Sequence, residues 1–545
     1  MNQVNYILKS NAIFTATGME PISGAIAVKN NRIVAVGQLD DMNGLCGDST
    51  QVIDCGDKLI MPGFNDAHMH FPHGAVDTDP SFCINLMDCK SEEECVEYVA
   101  QFAKENPNKP WIYGVGWSPE VWDKPHIPSK KSLDSLGLDR PIFLNSFDRH
   151  SVWCNSIALD RAGITRDTPQ PNCGEIGLDE NGEPNGILSE FETINPMADM
   201  VFSDCDIKPS LLKLLATFRE LGITAIADVH PTIEKAREIY KEMELEGDLT
   251  CRVSMFADLI KIEDSKNLRK RFYSDKVRVG GLKQFLDGVV EIHTAYLTES
   301  YADKPNHYGT PIFTQEEINK HVLNAEQEGF AVKLHTIGDK AVTLALNAYE
   351  NAQKVLGEKG LHHSVEHIDT INEKDINRMA GLNVLASVQP LHTYFGLVMG
   401  GYNAPLGKER LAFSWPYREI LDAGAKLALS TDFPAVYSLN PILSIHGAVT
   451  RSTPILGETS EGMNTEHTIT LHEALIAYTR DAAYAETFES DLGTLEPGKL
   501  ADIVVLDRNL FDIDPMDIKY AQVDMTIFDG VIVYNREVFA PEPKR

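Results

Sequence analysis

From about residue 210 onward, short apolar segments alternate with amphipathic helical ones, and this alternation restricts the possible folds more than any other feature of the chain. ITAIADVH (223–230), CRVSMFADL (251–259), VGGLKQFLDG (279–288), FAVKLHTIGD (330–339), HHSVEHID (362–369), NVLASVQP (383–390) and KLALSTDFP (426–434) each follow or precede helical stretches such as TQEEINKHVLNAEQEG (314–329). Repeated βα units of this kind imply a parallel sheet. MPGFNDAHMH (61–70) supplies one more candidate strand, and eight strands favour a closed (β/α)8 barrel over an open sheet. In such barrels the C-terminal ends of the strands carry the chemistry.

The two ends of the chain read differently. NYILKSNAIFTA, GAIAVKNNRIVAVG with Asn30 and Asn31 at its bend, and STQVIDCGDKLI are short strands separated by turn residues. LGTLEPGKLADIVVLD and VDMTIFDGVIVYNREV near the C-terminus behave likewise. The expected division is a small β-sandwich from residues 1–60 plus 480–545, a barrel from 61–75 plus 205–479, and an α/β insertion, 76–204, capping the barrel mouth. Trp111, Trp117, Trp122 and Trp153 fall in that insertion, where large aromatics serve first as its own core.

Composition excludes several functions. With 80 acidic against 49 basic residues the formal net charge is −31, and there is no basic run to grip phosphates, so nucleic acid is not the expected partner. No apolar stretch reaches membrane-spanning length, and the first residues lack the basic start and apolar core of a signal peptide. Nine cysteines lie between Cys46 and Cys251 without a Cys-x-x-Cys pair, a pattern suited to reduced thiols in a cytoplasmic protein. Cys83, Cys89 and Cys95 share a segment, CINLMDCKSEEECVEYV, that reads as helical and as packing rather than metal ligation.

The chemistry-bearing residues sit where the candidate strands end. His68 and His70 are one residue apart, so on a strand they point the same way, and two neutral imidazoles converging there can hold a divalent metal. Lys283, His335, His367 and Asp432 end later strands. Each alone has an ordinary explanation, since a strand-end Asp caps helices and a strand His is often a hydrogen-bonded core residue. Together the six offer imidazoles, a carboxylate and room for water.

These motifs, PGFNDAHMH, RHSVWCNSIAL (149–159), GEPNGILSE (182–190), LKQFLDG, KLHTIGDKAV, VEHID, ASVQP, STDFP and GTLEPGKLADIVVLD, run nearly end to end in one order. The chain resembles the amidohydrolase superfamily, in particular its YtcJ-like branch (amidohydrolase family 3), which includes N-substituted formamide deformylases. The resemblance implies a metal-dependent hydrolase of a linear amide, an N-substituted formamide or N-acyl amine, acting on a carbon–nitrogen bond other than a peptide bond. It implies a divalent metal, zinc foremost, as one or two ions. His68 and His70 would bind the more buried ion, His335 and His367 the other, and Asp432 would contact metal and the nucleophilic water. Lys283 would bridge as a carbamate, because an ammonium has no lone pair to offer, or else pair with Asp287 or Asp339 as a plain ammonium. His150, and more weakly Gln389, would reach the substrate carbonyl. His73, His362, His363 and His392 are left out of the metal set, and Asp339 is read as opening the next helix. Asn65, at a position often apolar in relatives, and Thr431, where Ser is commoner, depart from the pattern without removing a ligand.

The rival activities are a ring aminohydrolase, which usually carries a Glu shortly after the strand-five His where this chain reads HTIGD, and an ester or carbamate hydrolase on the same site. A non-catalytic scaffold would have lost its ligands, and these are present. A small-molecule substrate and a homodimer complete the expectations.

Overall fold

The computed structural model describes residues 3–539 except 148, 172–173, 230–232, 399, 437, 453, 456–457 and 460–461, and gives only the backbone of 43, 191–192, 395, 398, 454–455, 458–459 and 539. The chain divides into two compact units, one of residues 1–70, 215–231 and 244–545, the other of 71–214 and 232–243.

The first unit holds a barrel of eight parallel strands: Phe64–Met69, Ile223–Val229, Arg252–Asp258, Val277–Phe285, Ala331–Thr336, Ser364–His367, Leu385–Val388 and Leu427–Leu429, hydrogen-bonded in that order. Six of the eight are buried at every residue, as strands covered on both faces must be, which is why they read as apolar runs. The first and last strands are joined by side chain and backbone together. Asp432 N donates to His68 O (2.8 Å) and His70 N to Phe433 O (2.9 Å). The buried Asp66 carboxylate accepts from Thr431 N (3.1 Å) and Thr431 Oγ1 (2.7 Å). Thr431 therefore supplies the hydroxyl that closes the barrel beside the site.

Both chain ends meet in one eight-stranded sheet, ordered Val531–Asn535, Val523–Phe528, Ile503–Leu506, Leu59–Pro62, Tyr6–Ile13, Ile22–Lys29, Arg32–Gly37, with Gln51–Asp54 also paired to Tyr6–Ile13. It is a single sheet curled on itself rather than two stacked ones: one apolar cluster takes Ile33 from its last strand and Ile527 from its second, with Leu8, Ile26, Ile60 and Ile503 between. Gly63 links this sheet to the barrel, where a Cβ would lie 2.1 Å from Thr224 Oγ1, so only glycine allows that approach. Buried Arg252 fastens the same seam through paired hydrogen bonds to Asp502 (2.7 and 2.9 Å).

The second unit is built on a six-stranded mixed sheet, Glu175–Leu178, Pro184–Ser189, Ser151–Cys154, Ile142–Ser146, Ile112–Trp117 and Cys83–Asn85. Trp117, Trp122 and Trp153 pack together in its core. The helical reading of the segment from Cys83 is corrected here. Cys83–Asn85 takes a parallel ladder against Tyr113–Val115, and the helix begins only at Glu92, where Ser91 accepts from Glu94 N (3.1 Å) and acidic residues fill the first turn. Long-range pairing overrode the local helical pattern. The eight described cysteines form no disulfide. Among the described residues no helix is long and apolar enough to cross a membrane.

Candidate metal centre

Strand register brings the expected ligands to one end of the barrel. His68 is the penultimate residue of the first strand with His70 just beyond its end, His335 lies near the end of the fifth, His367 closes the sixth, and Asp432 follows the eighth by three residues. His335 packs on His367 with ring centroids 4.4 Å apart, and His367 on His68 at 4.8 Å. His68, His367 and Asp432 each present a ligand atom within 4.8 Å of the others, and all three are buried.

Asp432 is the hub. His68 Nε2 and His70 Nε2 stand 3.4 and 3.3 Å from Oδ1, while His392 Nε2 and His367 Nδ1 stand 3.4 and 3.8 Å from Oδ2. Oδ1 nevertheless makes no hydrogen bond. Ligand atoms of His68, His367 and Asp432 lie close enough together to share one ion. The backbone is held for this purpose: His367 (φ 76°) and Asp432 (φ 62°) both occupy the left-handed region that non-glycine residues avoid. Such residues cost about 1–3 kcal/mol each and persist where surrounding structure enforces them.

Burial sets the protonation. It pushes the His68 imidazole down to about 4, helped by the Lys283 charge, and His335 down to about 3 for the same two reasons. His367 is held well below the usual imidazole range by burial and by His335. Burial alone would raise the Asp432 carboxyl, but His68, His392 and His70 outweigh it and hold it well below the carboxylate range. At neutral pH the site thus presents imidazole lone pairs and one carboxylate, the forms in which these groups bind a metal. Hydrogen bonds select the nitrogens as well. His367 Nδ1 meets the amide oxygen of Gln389 (2.8 Å), which can only accept, so the proton sits on Nδ1 and Nε2 is free.

Lys283 is completely buried, and its Nζ has no hydrogen-bond partner. Burial draws its ammonium down to about 8. Neither candidate partner takes it: Asp287 accepts the backbone N–H groups of Tyr296, Ile337 and Gly338 (2.8–3.1 Å), and Asp339 opens the helix Asp339–Leu356 and accepts from Thr298 N. A buried amine with no hydrogen bond, 5.1 Å over the Phe285 ring and close enough for its charge to act on His68 and His335, fits a ligand position. The residues present therefore suit a divalent ion.

Gln389 is corrected from a substrate contact to a support for His367, its amide nitrogen donating to Ser430 Oγ (2.9 Å). His392, set aside in the sequence, stands at Asp432 and lies parallel to His367, 5.7 Å away at 13°. Its only sequence signal was a position three residues after the strand-seven Gln389, and loop residues give no periodicity to read. His362 stacks on Tyr484, and His363 pairs with Glu326 (3.1 Å), so both serve packing. His150 lies in the second unit, where its Nδ1 meets Glu190 (3.0 Å) and strand pairing ties Ser151 to Ser189, joining the RHSVWCNSIAL and GEPNGILSE motifs.

A model of the amidohydrolase family matches residues 51–534. The chain belongs to the amidohydrolase family. Protein LONG AFTER FAR-RED 3 of Arabidopsis thaliana is 29% identical over 97% of this chain and 91% of its own length. N-substituted formamide deformylase of Arthrobacter pascens is 26% identical over 98% of this chain and 99% of its own. Among solved structures, an uncharacterized metal-dependent hydrolase from Pyrococcus furiosus matches with a TM-score of 0.72 and 26% identity, covering 94% of this chain and 99% of that one. This amidohydrolase thus has the barrel of a metal-dependent hydrolase and a histidine–aspartate site at its strand ends.

Proposed function

We propose that the protein cleaves a linear amide, an N-substituted formamide or an N-acyl amine, with a divalent metal at the His68–His367–Asp432 site. The observation that carries this is Asp432: an ionised carboxylate with the Nε2 atoms of His68, His70 and His392 at 3.3–3.4 Å and an Oδ1 that makes no hydrogen bond. The end-to-end likeness to a formamide deformylase supports the linear amide over a ring substrate, and so does the stretch after His335, which reads HTIGD where ring deaminases usually carry a Glu.

His68, His70, His335, His367 and Asp432 would hold one or two ions, zinc foremost. Lys283 would join them as a carbamate, its Nζ attacking CO2 and losing a proton to become an anionic ligand. A bound divalent ion lowers the pKa of water toward ~7 and polarises a carbonyl. Asp432 then accepts the proton of the attacking water on Oδ1 and returns it to the leaving nitrogen, which must be protonated to depart. The neutral, buried imidazoles exclude competing protons, and His392 keeps the carboxylate in place from the Oδ2 side. We place the enzyme in the cytoplasm as a homodimer acting on a small molecule.

The test is a screen of metal-loaded enzyme against formamides, N-acyl amines, N-acyl amino acids and cyclic amidines. Formate or another carboxylate as product supports the proposal. Ammonia released from a ring overturns it.

A further inference from the structure

One layer beneath the ligands the barrel interior holds a second set of charges. Lys333 lies two residues before His335 and so on the same face of the fifth strand; Glu366 immediately precedes His367 on the sixth. Both are completely buried. Glu366 Oε2 takes a hydrogen bond from His68 Nδ1, and Oε1 takes one from Ser364 Oγ and lies 3.5 Å from Lys333 Nζ. Lys333 Nζ donates to Ala67 O (3.2 Å), one residue before His68, and sits 4.7 Å over the Phe256 ring. Lys283 and Lys333 are cross-strand neighbours, yet Lys333 is hydrogen-bonded whereas the Lys283 amine makes no hydrogen bond and sits 5.1 Å over the Phe285 ring.

A buried ion pair could be mere packing, but its geometry does something specific to a ligand. A carboxylate only accepts, so the proton of His68 must sit on Nδ1, and the lone pair on Nε2, the nitrogen 3.4 Å from Asp432 Oδ1. Lys333 Nζ, 3.5 Å from Oε1, faces the same carboxylate. Lys333 also grips the backbone beside His68, holding the ring from two sides.

We propose that Glu366 is a positioning residue for the metal centre, with Lys333 securing it, so that affinity for a divalent ion depends on two side chains that never touch the ion. The inference rests on the metal reading above. Partners of this kind typically contribute about 10–100-fold to metal affinity by fixing the ligand's tautomer and orientation.

The experiment measures Co(II) affinity of metal-stripped full-length protein by competition with a chromophoric chelator, alongside the thermal melt of the stripped protein. E366Q keeps the shape, but its amide can turn N–H groups toward His68 Nδ1 and favour the tautomer whose Nε2 cannot ligate. It should lose about 10–100-fold in affinity. K333M should lose less, and E366Q/K333M should bind no more weakly than E366Q, because Lys333 acts through Glu366. Should E366Q fail to fold, the double variant, which removes both charges, carries the comparison with wild type. Affinity of E366Q within twofold of wild type, or a double variant whose loss is the sum of the single losses, overturns the proposal. H68A separates the two readings: its loss of metal with E366Q unaffected sinks only the positioning role, whereas H68A binding like wild type sinks the metal site itself.

Discussion

Replacing Asp432 by Asn removes one charge and keeps the side-chain shape, so, with metal content measured on the same sample, it separates the proton chemistry from the ligand role. Asn has the same shape and, like Asp, is among the few residues that accept the left-handed conformation found here (φ 62°). The backbone bond from residue 432 to His68 O (2.8 Å) survives, so the barrel stays closed. An alanine would add a backbone cost of about 1 kcal/mol and blur the result. Burial already keeps His68, His335 and His367 neutral, and His392, which burial lowers but Asp432 raises more, alone loses a charge partner, so folding stability should stay within about 1–2 kcal/mol of wild type. Turnover is another matter. General acid–base catalysis is worth ~10²–10⁴-fold, and Asp432 serves both halves of the reaction, so kcat should fall at least about 10³-fold, roughly 4 kcal/mol. The assay is carboxylate release from the best amide of the screen, with metal content and melting temperature measured on the same sample. A variant that retains more than a tenth of wild-type turnover with metal bound would refute the reasoning.

Three further outcomes are expected. The metal-free protein should lose stability as pH falls from about 6.5 toward 4: His68 has a lower pKa folded than unfolded, so its contribution is complete above 6.5 and disappears on acidification. That contribution is about 3 kcal/mol at ~1.4 kcal/mol per unit, and a flat thermal melt across this window would contradict it. Asp66→Ala should lower the melting temperature by several degrees, because His68 N, Thr431 N and Thr431 Oγ1 lose their buried acceptor at roughly 1 kcal/mol or more each; an unchanged melt would mean the barrel closes without this latch. Stripping the metal with a chelator should lower the melt relative to protein in excess Zn(II), by ~4 kcal/mol at a thousand times Kd, and refilling should restore it. Identical melts would argue against a bound ion.

Much of the architecture was legible in the chain because parallel barrel strands are buried on both faces and therefore spell continuous apolar runs: all eight segments read as barrel strands, including the one ending in His68 and His70, are strands of the barrel. The strand-end ligands were legible for a related reason, since a polar side chain closing an apolar strand has few explanations besides capping and chemistry. Three things were not. The sheet made by the chain ends is one curled surface because Leu59–Pro62 pairs with both Tyr6–Ile13 and Ile503–Leu506, a junction between segments more than 400 residues apart that no local pattern encodes. Cys83–Asn85 became a strand through its ladder with Tyr113–Val115, although its surroundings favour a helix. Around the site, His392 and Glu366 look like an ordinary loop histidine and an ordinary strand glutamate until the barrel closes. The sequence by itself determined which residues could ligate and which elements would bear them, since both follow from residue type and periodicity. Only the tertiary structure decided which nitrogen each imidazole offers and which lysine stays unpaired, because hydrogen bonds between distant strands set tautomer and charge.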